Sequence, residues 1–339
     1  MQTDRMVDVL ETHTEGQVVR TVTGGVDTRR IQGASVAEKV DSFLEEYGWL
    51  QDFLAREPRG HSNLVGSLPV EPTEPEADIG YIFFDNSLCL ADCGDAVIGS
   101  TTALVETGVL GARERMTVEV PAGLVETRLQ YDGDRVESVA IQGMESFTYT
   151  VTSVTVETDA GALEVPVEVA YGGNWFAFVD PGTLDLSLAL EDADSERIVD
   201  YGVQIRDAVN DALEITNPLT GESERVSITM FIDEGGDGGE HEGIDRGTIV
   251  YAAGSIGRSP CGTGTAAHLA RLYANDQLAA GESYPIDSLY ATRFTGRILD
   301  VETRDNLTVT TCEVAGSAHI VGKHTYLRDP ADDYQGPLM

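Results

Sequence analysis

The hydrophobic pattern of the chain alternates between strand-like and helix-like segments, and the same order of segments occurs twice. Apolar residues three and four positions apart predict helices over residues 36–53, 96–106, 195–213 and 265–275. Short apolar or alternating runs predict strands at 7–10, 18–22, 79–84, 116–120, 124–131, 136–141, much of 147–178, 248–251 and further segments up to 326. The order strands, helix, strands, repeated, predicts two halves of the same plan that face each other across a cleft.

Two loops at matching places in this order each put a cysteine just before a predicted helix. The first cysteine loop (residues 92–99) contains Cys93, and the second cysteine loop (residues 258–265) contains Cys261, 168 residues later (261 minus 93). A thiol at a helix N-terminus faces the positive end of the macrodipole and backbone N–H groups that lack intrahelical partners. This position lowers the pKa of a thiol and keeps it reactive.

Such a pair of thiols suits the inversion of a stereocentre next to a carboxylate. That reaction needs a base on one face of the carbon and an acid on the other, and a cysteine can serve as either. The glycines that follow, Gly94 and Gly262, would let the backbone approach a ligand closely. The N–H groups of the helix starts, including that of Thr263, would hold the substrate carboxylate and stabilise the enolate-like charge. We therefore expect no metal and no organic cofactor.

Charge is the outlier of the composition. The 339 residues include 58 acidic and 22 basic residues, for a net charge of −36, and Lys39 and Lys323 are the only lysines. Because the acids are spread along the chain, they predict an acidic coat, which is typical of a halophilic protein in a salt-rich cytoplasm. An acidic protein of an ordinary cytoplasm is the alternative. Neither nucleic acid nor an anionic membrane is expected as a partner, because phosphate binding needs a basic surface.

The sequence predicts a cytoplasmic protein with reduced cysteines. No apolar run reaches the roughly 18 residues that span a bilayer, and residues 1–5 lack the basic start and apolar core of a signal peptide. Cys312 lies in a predicted strand and is expected in the core. Cys89 and Cys93 are four residues apart, but no second cluster of cysteine and histidine residues completes a zinc site with them. We expect structural roles for His13, in a turn, and His61, and a mobile loop without function at 235–243.

Seven short segments of the chain resemble signatures of the proline racemase family. They are ETHTEG at 11–16, EPRGH at 57–61, PEAD at 75–78, VETG at 105–108, YGGN at 171–174, RSPCGTGT at 258–265 and RFTGR at 293–297. The resemblance runs nearly end to end, and the segment at 258–265 is the most specific. The family includes proline racemases, 4-hydroxyproline 2-epimerases and trans-3-hydroxyproline dehydratases.

The resemblance implies an α+β fold like that of diaminopimelate epimerase, with two pseudo-symmetric domains, each with strands around a central helix. The active site would lie in the interdomain cleft. We expect one domain over 1–144, completed by 323–339, and a second over 145–322. Cys93 and Cys261 would be the catalytic acid and base, and a proline-type imino acid the substrate. Homodimers are common in the family, so a homodimer is possible.

The chain departs from the family pattern beside both cysteines. The usual Cys-Gly-His is here Cys93-Gly94-Asp95, and Gly257 stands where an aspartate usually precedes Arg-Ser-Pro-Cys. In the family, that histidine and that aspartate are polar contacts around the substrate, with the aspartate near its amine. We hypothesise that Asp95 pairs with the substrate ammonium instead. A carboxylate at this position would also raise the pKa of the Cys93 thiol.

Three functions remain open from the sequence. The first is a cofactor-independent racemase or epimerase of proline or 4-hydroxyproline. The second is a dehydratase on the same scaffold, although dehydratases resembling the human enzyme carry threonine where this chain has Cys261. The third is a non-catalytic imino-acid-binding protein, which the departures at Asp95 and Gly257 motivate and the two retained cysteines disfavour.

Overall fold

The structure is a computed structural model, and it describes residues 5–190, 193–235, 243–252 and 254–332. Its helices are α1 (Val36–Tyr47), α2 (Trp49–Ala55), α3 (Gly94–Glu106), α4 (Ser195–Ala212) and α5 (Gly262–Ala274). Its strands are β1 (Arg5–Thr14), β2 (Gln17–Gly24), β3 (Val65–Val70), β4 (Ile79–Phe84), β5 (Cys89–Leu90), β6 (Arg115–Val120), β7 (Gly123–Asp132), β8 (Arg135–Thr158), β9 (Gly161–Tyr171), β10 (Trp175–Val179), β11 (Ile215–Thr216), β12 (Ser223–Glu224), β13 (Ile228–Asp233), β14 (Asp245–Tyr251), β15 (Ser255–Ile256), β16 (Ser283–Ser288), β17 (Arg293–Arg304), β18 (Leu307–Gly316) and β19 (Ala318–Arg328).

The chain divides into two compact units. Unit 1 contains residues 1–142 and 316–339, and unit 2 contains residues 143–315. The chain passes from the first to the second within β8. This mixture of helices with mainly antiparallel strands confirms the predicted α+β class.

In unit 1 the strands surround the helix α3. β1 pairs antiparallel with β2 and β19, β2 runs parallel to β3, and β4 runs parallel to β6 and antiparallel to β3 and β5. β6, β7 and β8 follow as an antiparallel meander. Every residue of α3 from 96 to 105 is buried, so this helix is surrounded on all sides. Gly99 allows the close approach to β1, since a Cβ there would lie 2.7 Å from Thr12 Oγ1.

Unit 2 repeats the connectivity of unit 1. β10 runs parallel to β13, and the connection between them contains α4. In the same way β2 runs parallel to β3, and their connection contains α1 and α2. β14 pairs antiparallel with β13 and β15. It also pairs parallel with β16, to which the chain returns through α5, just as β4 pairs parallel with β6 after the chain has passed through α3. The helices α3 and α5 each contain 13 residues and begin 168 residues apart, and β6 and β16 keep the same offset. The two cysteines therefore occupy equivalent places in a repeated unit.

Several predicted elements differ from the structure in their limits. The predicted helix at 36–53 is two helices, because the chain turns at Gly48, where a Cβ would lie 2.5 Å from Leu44 O. Both cysteine-led helices begin directly after the cysteine, earlier than residues 96 and 265. His13 lies in β1, not in the turn, which starts at Glu15. Most of the predicted loop at 235–243 lies outside the described residues.

None of the described helices has both the length and the hydropathy required to cross a membrane.

The acidic composition leads to a prediction about salt. Exposed carboxylates repel one another in the folded state, and salt shortens the Debye length from about 10 Å at 0.1 M to about 3 Å at 1 M. We expect the temperature of thermal unfolding to rise across that range of KCl, as measured by circular dichroism. NaCl at equal ionic strength should give the same rise if screening is the cause. An unfolding temperature that does not change with salt would contradict the halophilic interpretation.

Candidate active site

The first cysteine loop joins the antiparallel pair of β4 and β5 to the central helix of unit 1. β4 is buried along its whole length, and β5 pairs with it before the chain reaches Cys93. Cys93 is half-buried and is the N-terminal cap of α3, where its carbonyl accepts the N–H of Val97 at 2.9 Å. The hydroxyl of Thr14 donates to the carbonyl of Asp95 at 2.8 Å. This bond ties the first turn of α3 to β1 and fixes the place of the cysteine.

Asp95 is the second residue of α3 and the one acidic residue of its first turn. A carboxylate here is favoured by the positive end of the helix dipole. The side chain is two positions from Cys93, so the acid and the thiol belong to the same helix start.

In unit 2, the thiol itself caps the helix. The N–H of Gly264 donates to Cys261 Sγ at 3.4 Å, and Thr263 Oγ1 lies 3.6 Å from the same sulfur. The hydroxyl of Ser259 accepts the N–H of Cys261 at 3.2 Å. Cys261 has a positive φ of 69°, which is uncommon outside glycine and is concentrated at functional sites. The residue is 8% exposed.

The YGGN segment packs against the first turn of α5. A Cβ on Gly172 would lie 2.4 Å from the carbonyl oxygen of Thr263, so only glycine fits there. Asn174 Nδ2 donates to Thr263 Oγ1 at 3.4 Å. The sequence identified this segment as a family signature without a role, and the structure shows that it supports the helix start that carries Cys261.

A side chain at position 257 would collide with the side chain of Ile249. The N–H of Gly257 donates to the carbonyl of Ile249 at 2.9 Å, and a Cβ would lie 2.4 Å from Ile249 Cγ1. An aspartate at this position would therefore require the buried Ile249 side chain to move. The next residue, Arg258, has a buried Nε that makes no hydrogen bond within the residues that the structure describes.

The other two cysteines have different surroundings. Burial, with a smaller contribution from Asp85, raises the pKa of Cys89 to about 11, and burial raises the pKa of Cys312 to about 11. Cys312 is fully buried in β18, which confirms its predicted place in the core. All four cysteines lie within the described residues and form no disulfide. No group of three potential metal ligands occurs among the described residues.

The sequence did not predict the buried polar network of α5. His268 Nε2 lies 2.7 Å from Asp245 Oδ2, and Arg271 Nη1 lies 2.9 Å from His268 Nδ1. Because a guanidinium group can only donate hydrogen bonds, Nδ1 of His268 is the acceptor. Nε2 therefore carries the hydrogen and donates it in the hydrogen bond to Asp245. Arg271 Nε also donates to Glu168 of β9 at 2.7 Å. The network thus anchors α5 to β9 and β14.

This network predicts a dependence of stability on pH. Burial, and to a lesser degree Arg271, lower the pKa of His268 below 6.5 despite the hydrogen bond to Asp245. The unfolded chain therefore takes up a proton below pH 6.5 that the folded chain does not, and stability falls with falling pH by at most about 1.4 kcal/mol per pH unit. The free energy of unfolding is measured by denaturant titration at a series of pH values. We expect it to fall less steeply for His268→Gln than for the wild type between pH 6.5 and 5.5. Above pH 7.5 the two curves of free energy against pH should be parallel. Identical slopes below pH 6.5 would contradict this role.

Comparison with known proteins defines the class to which this fold and these two loops belong. A crystal structure of a hydroxyproline epimerase from Agrobacterium vitis, with bound trans-4-hydroxy-L-proline, aligns with a TM-score of 0.82 and 28% identity over 100% of this chain and 97% of that one. The fold is therefore that of the epimerase class, as predicted.

The family model described as proline racemase matches residues 9–337, and the chain belongs to this family. A 4-hydroxyproline 2-epimerase from Streptosporangium roseum is 33% identical over 337 residues, which cover 98% of each chain. A trans-3-hydroxy-L-proline dehydratase from Bacillus cereus is 31% identical over 336 residues, also 98% of each chain. The family thus contains both epimerases and dehydratases.

Proposed function

We propose that the protein is a cofactor-independent racemase or epimerase that inverts Cα of proline or 4-hydroxyproline. The observation that carries the proposal is the repeated unit: each central helix begins directly after a cysteine, at equivalent places in the two units. Membership of the proline racemase family supports the substrate class. Cys93 and Cys261 act as the acid and base, and both work on the same carbon.

The backbone at each helix start supplies the carboxylate site. The first N–H groups of α3 and α5, at Gly94 and Gly262, have no intrahelical acceptor. A Cβ on Gly262 would meet no atom within 4 Å, so the space beside this peptide is open on the protein side. These donors, with that of Thr263, would bind the substrate carboxylate and stabilise the negative charge that develops when the Cα proton leaves.

Deuterium uptake at Cα tests this function directly. The enzyme is incubated in D2O and high salt with L-proline, D-proline, trans-4-hydroxy-L-proline and cis-4-hydroxy-D-proline, and the products are separated by chiral chromatography. We expect deuterium uptake together with inversion for at least one stereoisomeric pair. Binding without uptake, detected by thermal shift, would favour the non-catalytic alternative instead.

A dehydratase is the second candidate, because a relative of equal coverage is named as one. Loss of water from trans-3-hydroxy-L-proline would need one thiol base rather than two. The same incubation distinguishes the candidates when that compound is added. Formation of an imine or keto acid without inversion of any proline would favour the dehydratase.

Asp95 provides a separate prediction about the substrate amine. If its carboxylate pairs with the ammonium, Asp95→Ala should abolish turnover or strongly raise the KM, since the site would lose its charge partner. Asp95→Asn, which keeps the shape, should show the same direction of change. The measurement is steady-state kinetics of inversion by polarimetry, and unchanged kinetics in both variants would exclude this role.

A further inference from the structure

We propose that Asn174 is a positioning residue that directs the hydroxyl of Thr263 to the sulfur of Cys261. The inference rests on the proposed function, in which Cys261 is one of the two catalytic thiols. It adds a residue of the YGGN segment to that machinery. Asn174 lies in the turn between β9 and β10 and reaches the sulfur only through Thr263.

All three residues of that turn lie against Thr263, each at a different group. A Cβ on Gly172 would lie 2.4 Å from the carbonyl oxygen of Thr263, and a Cβ on Gly173 would lie 3.0 Å from its Cγ2 methyl. The amide nitrogen Nδ2 of Asn174 lies 3.4 Å from Thr263 Oγ1. Threonine is stiff at χ1, so contacts to both its methyl and its hydroxyl hold this side chain in one rotamer.

The donors and acceptors give the chain of hydrogen bonds its direction. The amide nitrogen of Asn174 can only donate, so the oxygen of Thr263 is the acceptor. A hydroxyl carries one hydrogen, and the contact with the amide leaves that hydrogen for Cys261 Sγ, 3.6 Å from Thr263 Oγ1. The sulfur therefore receives the hydroxyl of Thr263 as well as the N–H of Gly264, which donates to it at 3.4 Å.

These donors stabilise the sulfur of Cys261 when it is a thiolate. A hydrogen bond to an ionised acceptor is roughly twice as strong as one between neutral groups, and successive hydrogen bonds in a chain strengthen one another. In the proposed mechanism Cys261 is a thiolate either before or after it transfers a proton. The chain that begins at Asn174 therefore contributes in both directions of inversion.

Unit 1 has a corresponding turn at the corresponding helix position. The turn between β1 and β2 follows Thr14, whose hydroxyl donates to the carbonyl of Asp95 at 2.8 Å. Asp95 and Thr263 are 168 residues apart, which is the offset of the two helices (263 minus 95). Each turn thus contacts the second residue of its helix. In unit 1 this contact is made to the backbone, whereas in unit 2 it is made to a side chain that also contacts the sulfur.

Alkylation by iodoacetamide without substrate tests the role of Asn174. The rate at Cys261 is measured by peptide mass spectrometry across the pH range in which thiols ionise, and the midpoint of the profile is compared between variants. Thr263→Val removes the hydroxyl and keeps the branched shape, so the midpoint should rise by about one pH unit. Asn174→Ala should raise it by part of that amount, because the hydroxyl can then turn away. The Cys93 midpoint is the internal reference and should not move.

A double substitution shows whether Asn174 acts through Thr263. If it does, Asn174→Ala has no effect once the hydroxyl is gone, so Thr263→Val with Asn174→Ala should match Thr263→Val alone. Additive shifts would overturn the proposal. Asn174→Asp keeps the shape but its carboxylate can only accept, so it should draw the hydroxyl away from the sulfur and also raise the midpoint. A wild-type midpoint in Asn174→Ala or Asn174→Asp would overturn the proposal too.

Asn210→Ala is the matched control for a purely structural effect. Asn210 lies in α4 of the same unit, and its side chain makes two hydrogen bonds to the backbone of Val226, at 2.8 Å and 2.9 Å. Its loss should lower the free energy of unfolding without moving the Cys261 midpoint. If Asn174→Ala has the same pair of effects, its role is structural and the proposal fails.

Steady-state kinetics of inversion provide a second measurement. Asn174→Ala should lower kcat about tenfold and leave KM within a small factor, because the N–H groups that would bind the carboxylate remain. Alkylation needs no substrate, so the two proposals can fail separately. Midpoints that respond as expected, without deuterium uptake by any imino acid, would keep the role of Asn174 and remove the proposed function. Uptake with midpoints that do not respond would keep the function and remove the role.

Discussion

Cys93→Ala and Cys261→Ala are each expected to lose inversion at Cα by about 10²- to 10⁴-fold or more, the contribution of a positioned acid or base. In the proposed mechanism each thiol serves one face of the carbon, so neither can replace the other. Any deuterium uptake that remains should occur without inversion and with one stereoisomer only. The two variants should retain opposite stereoisomers, because the remaining base faces opposite sides of Cα.

Cys89→Ala is the matched control for this experiment. Cys89 lies four residues before Cys93, but burial raises its pKa to about 11, so at neutral pH it holds its proton. Its loss should leave inversion within a small factor of the wild type. Inversion that survives in either Cys93→Ala or Cys261→Ala at the level of this control would contradict the two-cysteine mechanism.

Arg20→Met should lower the free energy of unfolding by about 3–5 kcal/mol, the cost of breaking a buried ion pair. Arg20 is 4% exposed, and its Nε donates to Glu11 Oε1 at 2.6 Å. Its Nη1 also donates to the carbonyls of Leu54 and Arg59, at 2.6 Å and 2.7 Å. The substitution leaves the carboxylate of Glu11 without its main partner and the two carbonyls without a donor. Denaturant titration in high salt measures the change.

A double substitution separates the ion pair from the packing around it. Glu11→Met together with Arg20→Met removes both charges, so the loss should be clearly smaller than the sum of the two single losses. Arg29→Met is the matched control, since Arg29 pairs with Asp27 on the surface and its loss should change stability little. Strict additivity of the two buried substitutions would show that the charges do not act as a pair.

The sequence predicted the elements that local patterning determines. β4 coincides with the predicted strand at 79–84, and α4 with the predicted helix at 195–213 to within one residue. Patterning could not show that Gly48 divides a helix, because the apolar spacing continues through it. Nor could it show that β8 runs for 24 residues through Gly143, since a glycine inside a strand weakens it and often marks a bulge or a bend.

In the candidate site, too, local sequence could reveal some residues and not others. Cys93 and Cys261 could be found because a cysteine, a glycine and a helix start are neighbours in the sequence. The supports of the second helix could not be found, because Gly172 lies 91 residues before Thr263 and touches it only in the folded chain (263 minus 172). The partners of His268 are likewise on distant strands, at Asp245 and, through Arg271, at Glu168.

The contact between Gly257 and Ile249 makes these two positions interdependent. Because a Cβ at 257 would lie 2.4 Å from Ile249 Cγ1, an aspartate there would displace the Ile249 side chain from its packed position. A smaller residue at 249 would make the room, but by itself it would leave a cavity in a packed core. Substitutions at the two positions are therefore expected to be non-additive, because the cost of an aspartate at 257 depends on which residue stands at 249.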